Sequence, residues 1–271
     1  NAKQAVTIST RARKVEGGWQ LDGIKSFGTG TDVCDMYLVS AAIEGIDGLD
    51  AIGTFFVPRD AEGVQARAPW DPIGLRASAS NGLKLEGVFV ADDEALAVPG
   101  SFRRMMEVSR GSFVGNQVAA ICCYLGGGQA VHDWVLEFLT GRTFGDTGQP
   151  IGGSPVHQDL IGRMAVELET GFLWLRRQIE LESSDPPLLP KEDVVKQWRM
   201  CKGEAAEALF NVALLGLKAC GTGNTANSGP LVRGLRDLSM GLVQAFPAER
   251  GRLEVAKLMV SGAFTPNFGT E

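Results

Sequence analysis

Hydrophobic and polar residues alternate in short segments along the first hundred residues of the chain. These segments, separated by turn-forming residues, are Ala5–Ala12, Trp19–Ile24, Met36–Ala41, Ile52–Val57, Val64–Ala66 and Leu83–Val90. A period of two residues puts successive side chains on opposite faces of a strand, so this rhythm predicts an antiparallel sheet. We therefore expect a small antiparallel β-barrel, or a sandwich, over residues 1–100.

The rest of the chain follows a helical period instead. Apolar residues recur at helical spacing over 102–140, 155–182, 191–219, 230–245 and 248–261, and glycine or proline residues separate these ranges. Short connections make neighbouring helices antiparallel, which predicts a domain like a four-helix bundle over residues 101–271. The chain is thus expected to be an α+β protein, with the domain boundary near Pro99-Gly100.

One stretch of the β domain, Gly17–Gly30, carries more information than the others. The dipeptide Asp22-Gly23 lies between alternating segments, and this dipeptide predicts a two-residue hairpin turn. The following loop, Gly28-Thr29-Gly30, consists of small residues that let the backbone approach a flat ligand closely. An ordinary hairpin explains the same pattern, so the loop alone does not assign a function.

Composition and charge exclude several classes of function. The 271 residues are 44% hydrophobic and 21% charged, which is typical of a folded protein. The net charge of -6, without a basic stripe, argues against a nucleic-acid partner. The five cysteines lack zinc-type spacing, and His132 and His157 have no supporting ligands, so we expect free thiols in a reducing cytoplasm and no metal site. No apolar run is long enough to predict a membrane span.

Five segments of the chain, in order, resemble the acyl-CoA dehydrogenase family of flavoproteins. They correspond to its middle β domain and its C-terminal helical domain, whereas its N-terminal helical domain has no counterpart in this sequence. The segments are Gly18–Thr29, Phe55–Val64, Gly74–Val90, Arg142–Gln158 and Cys220–Asp237. The resemblance implies FAD as cofactor, an acyl-CoA or related substrate from fatty acid metabolism, and an electron acceptor such as an electron-transfer flavoprotein. It also implies a homo- or hetero-oligomer, a dimer or tetramer.

The same resemblance assigns three residues of the β domain to the flavin. Phe27 would flank the isoalloxazine ring, Gly28 would allow close approach of the backbone, and the hydroxyl of Thr29 would lie near the reactive edge. These residue types suit a flat ring with a polar edge. The alternative for Phe27 is an ordinary core position.

Four residues of the helical domain are assigned by resemblance to a flavin held by a neighbouring subunit. Arg142 and Phe144 would reach its pyrophosphate and adenosine, and Gly221 and Gly223 would bring backbone donors to the phosphate region. A guanidinium fork suits phosphate oxygens. The alternatives are a cation that complements a helix end and a turn that terminates a helix.

The catalytic base of the family has no evident counterpart. Removal of a proton α to a thioester carbonyl needs a nearby carboxylate, which the family supplies as glutamate. Counting from Arg236-Asp237 places Ala245 at that position, and Phe113–Gly115, the alternative position, contains no acid. The nearest substitutes are Glu249 and Glu107, although a surface carboxylate is the ordinary role of each.

Three interpretations therefore remain open. The chain belongs to an acyl-CoA dehydrogenase with an unrecognised base or a base from a partner chain, to a flavin-dependent monooxygenase of the same fold, or to a non-catalytic subunit of a hetero-oligomer. The first predicts bleaching of bound flavin by an acyl-CoA without oxygen, and the second predicts oxygen consumption. The third predicts neither.

Overall fold

The alternating segments fold into one sheet. The computed structural model describes residues 8–67, 69–108, 117–244 and 247–263, and the chain divides into two compact units, Asn1–Val108 and Ser109–Glu271. Among the described residues, the first unit contains seven strands: β1 Arg11–Val15, β2 Gly18–Gly28, β3 Met36–Ile43, β4 Ile52–Pro58, β5 Val64–Arg67, β6 Asn81–Ala91 and β7 Ala95–Leu96.

The strand order is β5-β6-β2-β1-β3-β4-β7. Neighbouring strands are antiparallel except β1 and β3, which pair in parallel. The edge strands β5 and β7 do not pair with each other within the described residues, so the predicted barrel is not closed by backbone hydrogen bonds. Fully buried side chains, including Leu21, Phe55 and Val88, form the core of this unit.

The predicted turn at Asp22-Gly23 is wrong. Strand β2 continues through this dipeptide, and the chain reverses earlier, at Gly17, where φ is +72°. The register of β2 against β6 shifts between Leu21 and Gly23, which marks a bulge. A Cβ at Gly23 would lie 2.7 Å from the Cα of Thr10. This glycine therefore allows the two backbones to approach closely and does not form a turn.

The described residues contain six α-helices. They are α1 Ser101–Val108, α2 Gln117–Thr140, α3 Pro155–Ser183, α4 Lys191–Cys220, α5 Pro230–Val243 and α6 Ala248–Val260. The last four agree closely with the predicted ranges, and the α+β class is confirmed. Helix α1 belongs to the first unit. There Arg103 forms a bidentate ion pair with Asp50, in which Nε and Nη2 lie 2.7 and 3.0 Å from the two carboxylate oxygens. The boundary between the two units follows Val108, whereas the sequence predicted it near Pro99-Gly100.

Helix α4 forms the centre of the second unit and packs against α2, α3, α5 and α6. It contains a buried lysine, Lys202, which is 1% exposed. The ammonium donates to the carbonyl oxygens of Gly241 at 2.6 Å and Gln244 at 3.2 Å, and lies 5.9 Å from the ring centroid of Tyr124. The last carbonyls of a helix have no partner within the helix, so Lys202 caps the carboxyl end of α5.

Replacement of this lysine, K202M, is expected to lower the free energy of unfolding by about 1–3 kcal/mol at pH 7, because one buried and one partly buried carbonyl lose their donor. Burial lowers the pKa of Lys202 from 10.5 to about 8 in the folded protein. The unfolded chain therefore binds more protons between these values, and the advantage of the wild type over K202M should grow as the pH rises from 8 to 10.5. Urea unfolding at several pH values measures this difference. The exposed-lysine variant K218M should show neither effect.

Candidate functional site

Two loops of the first unit are joined by hydrogen bonds, and we call residues 27–31 and 75–81 the paired loops. The amide of Gly30 donates to the carbonyl of Ser78 at 2.8 Å. The amide and the hydroxyl of Thr31 both donate to the carbonyl of Ala79, at 3.2 and 2.6 Å. Three bonds between distant segments hold the predicted flavin loop against the residues that precede β6.

The backbone of the paired loops is strained. Phe27, Leu75 and Ala79 have φ values of +60°, +51° and +44°, and no other non-glycine residue in the described part of the chain has a positive φ. Each such residue costs on the order of 1–3 kcal/mol, and strain of this kind clusters at functional sites. Its concentration here marks the paired loops as the candidate site of this unit.

Phe27 is not a core residue. Phe27 is 76% exposed. Its ring packs edge to face against Trp70, with ring centroids 6.2 Å apart. The indole of Trp70 donates to the carbonyl of Leu75 at 2.9 Å, so the supporting ring is itself tied to the second loop. An aromatic ring held on a rigid support, with its surface open, can stack on a flat ligand.

A row of three hydroxyls connects the paired loops. The hydroxyl of exposed Thr29 is 3.0 Å from that of buried Ser80, which is 2.8 Å from that of Ser78. Sequence reasoning assigned no role to Ser78, Ser80 or Trp70, although both serines lie in the segment Gly74–Val90 that carries the resemblance. Ser80 orients the Thr29 hydroxyl, which is free to serve a ligand with its remaining capacity.

The glycines of the loop serve its internal packing. A Cβ at Gly28 would lie 2.9 Å from a methyl carbon of Thr31, and Gly30 has a φ of +82°. The amide of Gly30 is already used by Ser78. Gly28 thus permits the tight turn, and a ligand at this loop would rely on the side chain of Thr29 for its hydrogen bond.

The predicted Arg142 and Phe144 lie on a short hairpin that follows α2 in the second unit. The amide of Ile151 donates to the carbonyl of Arg142, and the amide of Phe144 donates to that of Gln149, both at 2.9 Å. The Arg142 guanidinium lies 4.7 Å from the ring centroid of Phe138. No carboxylate among the described residues forms an ion pair with Arg142, so its donors are available to an anion.

The predicted glycine turn follows the last residue of α4. Gly221 has a φ of +69°, and its amide closes the helix by donating to Leu217 at 3.1 Å. Both Gly221 and Gly223 are exposed, and no atom lies within 4 Å of a Cβ built on either. The carboxyl end of a helix carries negative partial charge, so this turn suits a hydroxyl or amino group better than a phosphate.

The two substitute carboxylates are both exposed. Glu107 lies on α1, where it interacts electrostatically with Arg103, and Glu249 lies in the first turn of α6, where an acid complements the helix. Ala245 and Phe113–Gly115 lie outside the described residues. Neither glutamate is enclosed by apolar side chains, which is the usual environment of a tuned general base.

Other candidate sites can be compared with these. A groove of about 720 Å³ lies between α3 and α4, lined by residues such as Arg163, Leu214 and Lys218, and contains none of the predicted site residues. Within the described ranges, no three histidine, cysteine or acidic residues converge as metal ligands. None of the described helices is both long and apolar enough to cross a bilayer.

Comparisons with known proteins cover both units. Residues 3–88 match the acyl-CoA dehydrogenase middle domain and residues 106–261 match the acyl-CoA dehydrogenase C-terminal domain. A mitochondrial 2-methylacyl-CoA dehydrogenase from Solanum tuberosum is 25% identical over 259 residues, 93% of this chain and 58% of that protein. A dibenzothiophene monooxygenase from Mycolicibacterium goodii is 30% identical over 148 residues, 53% of this chain and 35% of that protein.

Solved structures agree on the fold. A glutaryl-CoA dehydrogenase from Mycobacterium smegmatis, in complex with FADH2, superposes with a TM-score of 0.75 at 20% identity, over 96% of this chain and 63% of that one. The chain therefore spans less than two thirds of the length of each of these proteins. With matches to both domains over most of its length, the chain belongs to the acyl-CoA dehydrogenase family of FAD-dependent oxidoreductases.

Proposed function

We propose that this chain binds FAD at the paired loops and contributes to a flavin-dependent oxidation of an acyl thioester. The observation that carries the proposal is the exposed ring of Phe27, a residue with a φ of +60°, on the same loop as the Thr29 hydroxyl that contacts Ser80. An open aromatic face and a hydroxyl on one loop fit a tricyclic ring whose edge carries polar atoms. When bound, FAD supplies a two-electron acceptor that takes hydride from a substrate carbon.

The residues of the chain would hold the cofactor in three ways. Phe27 stacks against the ring and, with Trp70 behind it, keeps water from that side. Thr29, oriented by Ser80, donates to the polar edge of the ring. Arg142 binds phosphate oxygens, and Phe144 covers the adenosine side of a cofactor held by a neighbouring subunit.

For the substrate reaction, we infer an α,β-dehydrogenation of an acyl-CoA in which the usual glutamate is replaced by Ala245. Proton removal then depends on another carboxylate, either from this chain or from a partner. A positioned base contributes roughly 10²- to 10⁴-fold to such a step, so we expect slow turnover by this chain alone.

A monooxygenase reaction is the second candidate. Its support is the absence of an acid at position 245 together with the 30% identity to a dibenzothiophene monooxygenase. Such a reaction needs no base to remove an α-proton. The paired loops would hold the flavin in the same way.

The assembly and the cellular setting follow from the same proposal. Exposed Arg142, without a carboxylate partner among the described residues, is suited to a cofactor of a neighbouring subunit, as in a homotetramer or a hetero-oligomer. All five cysteines are free thiols, which suits a reducing cytoplasm. An electron-transfer flavoprotein would reoxidise the flavin if the enzyme is a dehydrogenase of fatty acid metabolism.

Anaerobic titration of the full-length protein with a panel of acyl-CoAs tests the reaction. Slow bleaching of the flavin absorbance by one member is the expected result. Oxygen consumption with a flavin reductase, in the absence of bleaching, would favour the monooxygenase. Failure of both, together with co-purification of a homologue that carries the glutamate, would assign the chain to a non-catalytic subunit.

A further inference from the structure

A column of three stacked groups begins on α2, where Trp134 and Phe138 are half-buried, and ends at exposed Arg142. Trp134 and Phe138 lie one helical turn apart, with ring centroids 5.5 Å apart and planes inclined by 18°. The guanidinium of Arg142 continues the column, 4.7 Å from the Phe138 centroid. Trp134 and Phe138 share one face of α2 because they lie four residues apart. Arg142 follows the end of the helix at Thr140, so the whole column comes from one short segment of the chain.

Among the residues that the structure describes, the Arg142 guanidinium forms no ion pair and donates no hydrogen bond. A guanidinium that stacks on an aromatic ring uses its flat face, while its N–H donors point outward in its plane. Its backbone is fixed independently, since the carbonyl of Arg142 accepts from Ile151 across the hairpin. The side chain and the main chain are therefore both held before a ligand arrives, which reduces the entropy lost on binding.

We propose that Phe138, supported by Trp134, positions the Arg142 guanidinium to bind the pyrophosphate of FAD. Phe138 acts through Arg142 and is a positioning residue. The inference rests on the proposed function, and it adds a residue that binds no part of the cofactor itself. An arginine on a flexible side chain would lose more rotamer freedom on binding than one already stacked.

The test is a double-mutant cycle on FAD affinity, measured by flavin fluorescence titration of the full-length protein after removal of its cofactor. F138L removes the ring and is expected to weaken binding about 3- to 10-fold, as a lost cation–π contact would. F138Y keeps a ring and should bind within about twofold of the wild type. R142Q should weaken binding about 10- to 100-fold, as expected for lost bonds to a charged group.

The decisive comparison is F138L in the R142Q background, where no further loss is expected because the group that Phe138 positions is gone. An equal loss in both backgrounds would overturn the inference, since it would assign Phe138 a structural role. The variant F172L, at a half-buried phenylalanine of α3, controls for the substitution, and circular dichroism checks the fold. If the wild type binds FAD, R142Q binds it more weakly and F138L binds it as the wild type does, only this inference fails. If R142Q also binds like the wild type, the role proposed for Arg142 fails as well. If the wild type binds no FAD, the proposed function fails with it.

Discussion

The variant A245E is expected to raise the rate at which an acyl-CoA bleaches the bound flavin by about 10²- to 10⁴-fold, the usual contribution of a positioned general base. Position 245 is where the family resemblance expects the glutamate. The residue before it, Gln244, is held through its carbonyl by buried Lys202 at 3.2 Å.

The matched control is A245Q, which has the size of glutamate without its acidity. It should react at the rate of the wild type in anaerobic stopped-flow measurements with the same acyl-CoA. Equal rates for A245E, A245Q and the wild type would contradict the assignment of this position. Rate losses in E107Q or E249Q would then identify the base elsewhere.

Substitution of a glycine at a helix crossing, G251A, is expected to lower the free energy of unfolding by about 3 kcal/mol. A Cβ at Gly251 of α6 would lie 2.2 Å from the carbonyl oxygen of Arg199 on α4. The facing position on α4 is also glycine, because a Cβ at Gly203 would lie 2.4 Å from the Cα of Ala248. The backbones of the two helices are thus in contact.

Helix α6 cannot move aside easily, because ion pairs join it to α4 on both sides of the crossing. Arg199 pairs with Glu254 at 2.8 Å, and Arg252 pairs with Glu204 at 2.6 Å. The control is G162A, at an exposed helical glycine with no atom within 4 Å of a built Cβ. That change should raise stability by up to about 1 kcal/mol, as helix propensity predicts. Urea unfolding of both variants measures the contrast, and equal effects would show that the crossing is not tight.

The secondary structure was predictable because burial imposes a period on the sequence. Strand β4 and helix α4 lie almost where alternation and helical spacing put them, since each has faces that must be buried. The turn predicted at Asp22-Gly23 was wrong because that prediction used only the local sequence. The local preference of this dipeptide for a turn is overridden by the close approach of Thr10, a contact that no local pattern reveals.

The candidate site was only partly predictable. Phe27 and Thr29 could be selected by resemblance, but nothing in the sequence signals a positive φ at a phenylalanine. The contact between Thr29 and Ser80 joins residues 51 positions apart, so it arises from the pairing of β2 with β6. The contact between Trp134 and Phe138 could be predicted from their four-residue spacing in a predicted helix, but the position of Arg142 beyond the helix end could not.

The central claim is that the paired loops hold FAD against Phe27. A crystal structure of the full-length protein purified with its cofactor tests it most directly. We expect the isoalloxazine ring to stack on Phe27, with the Thr29 hydroxyl within hydrogen-bonding distance of the ring edge. Paired loops covered by protein atoms, with no space for a flat ring beside Phe27, would contradict the account.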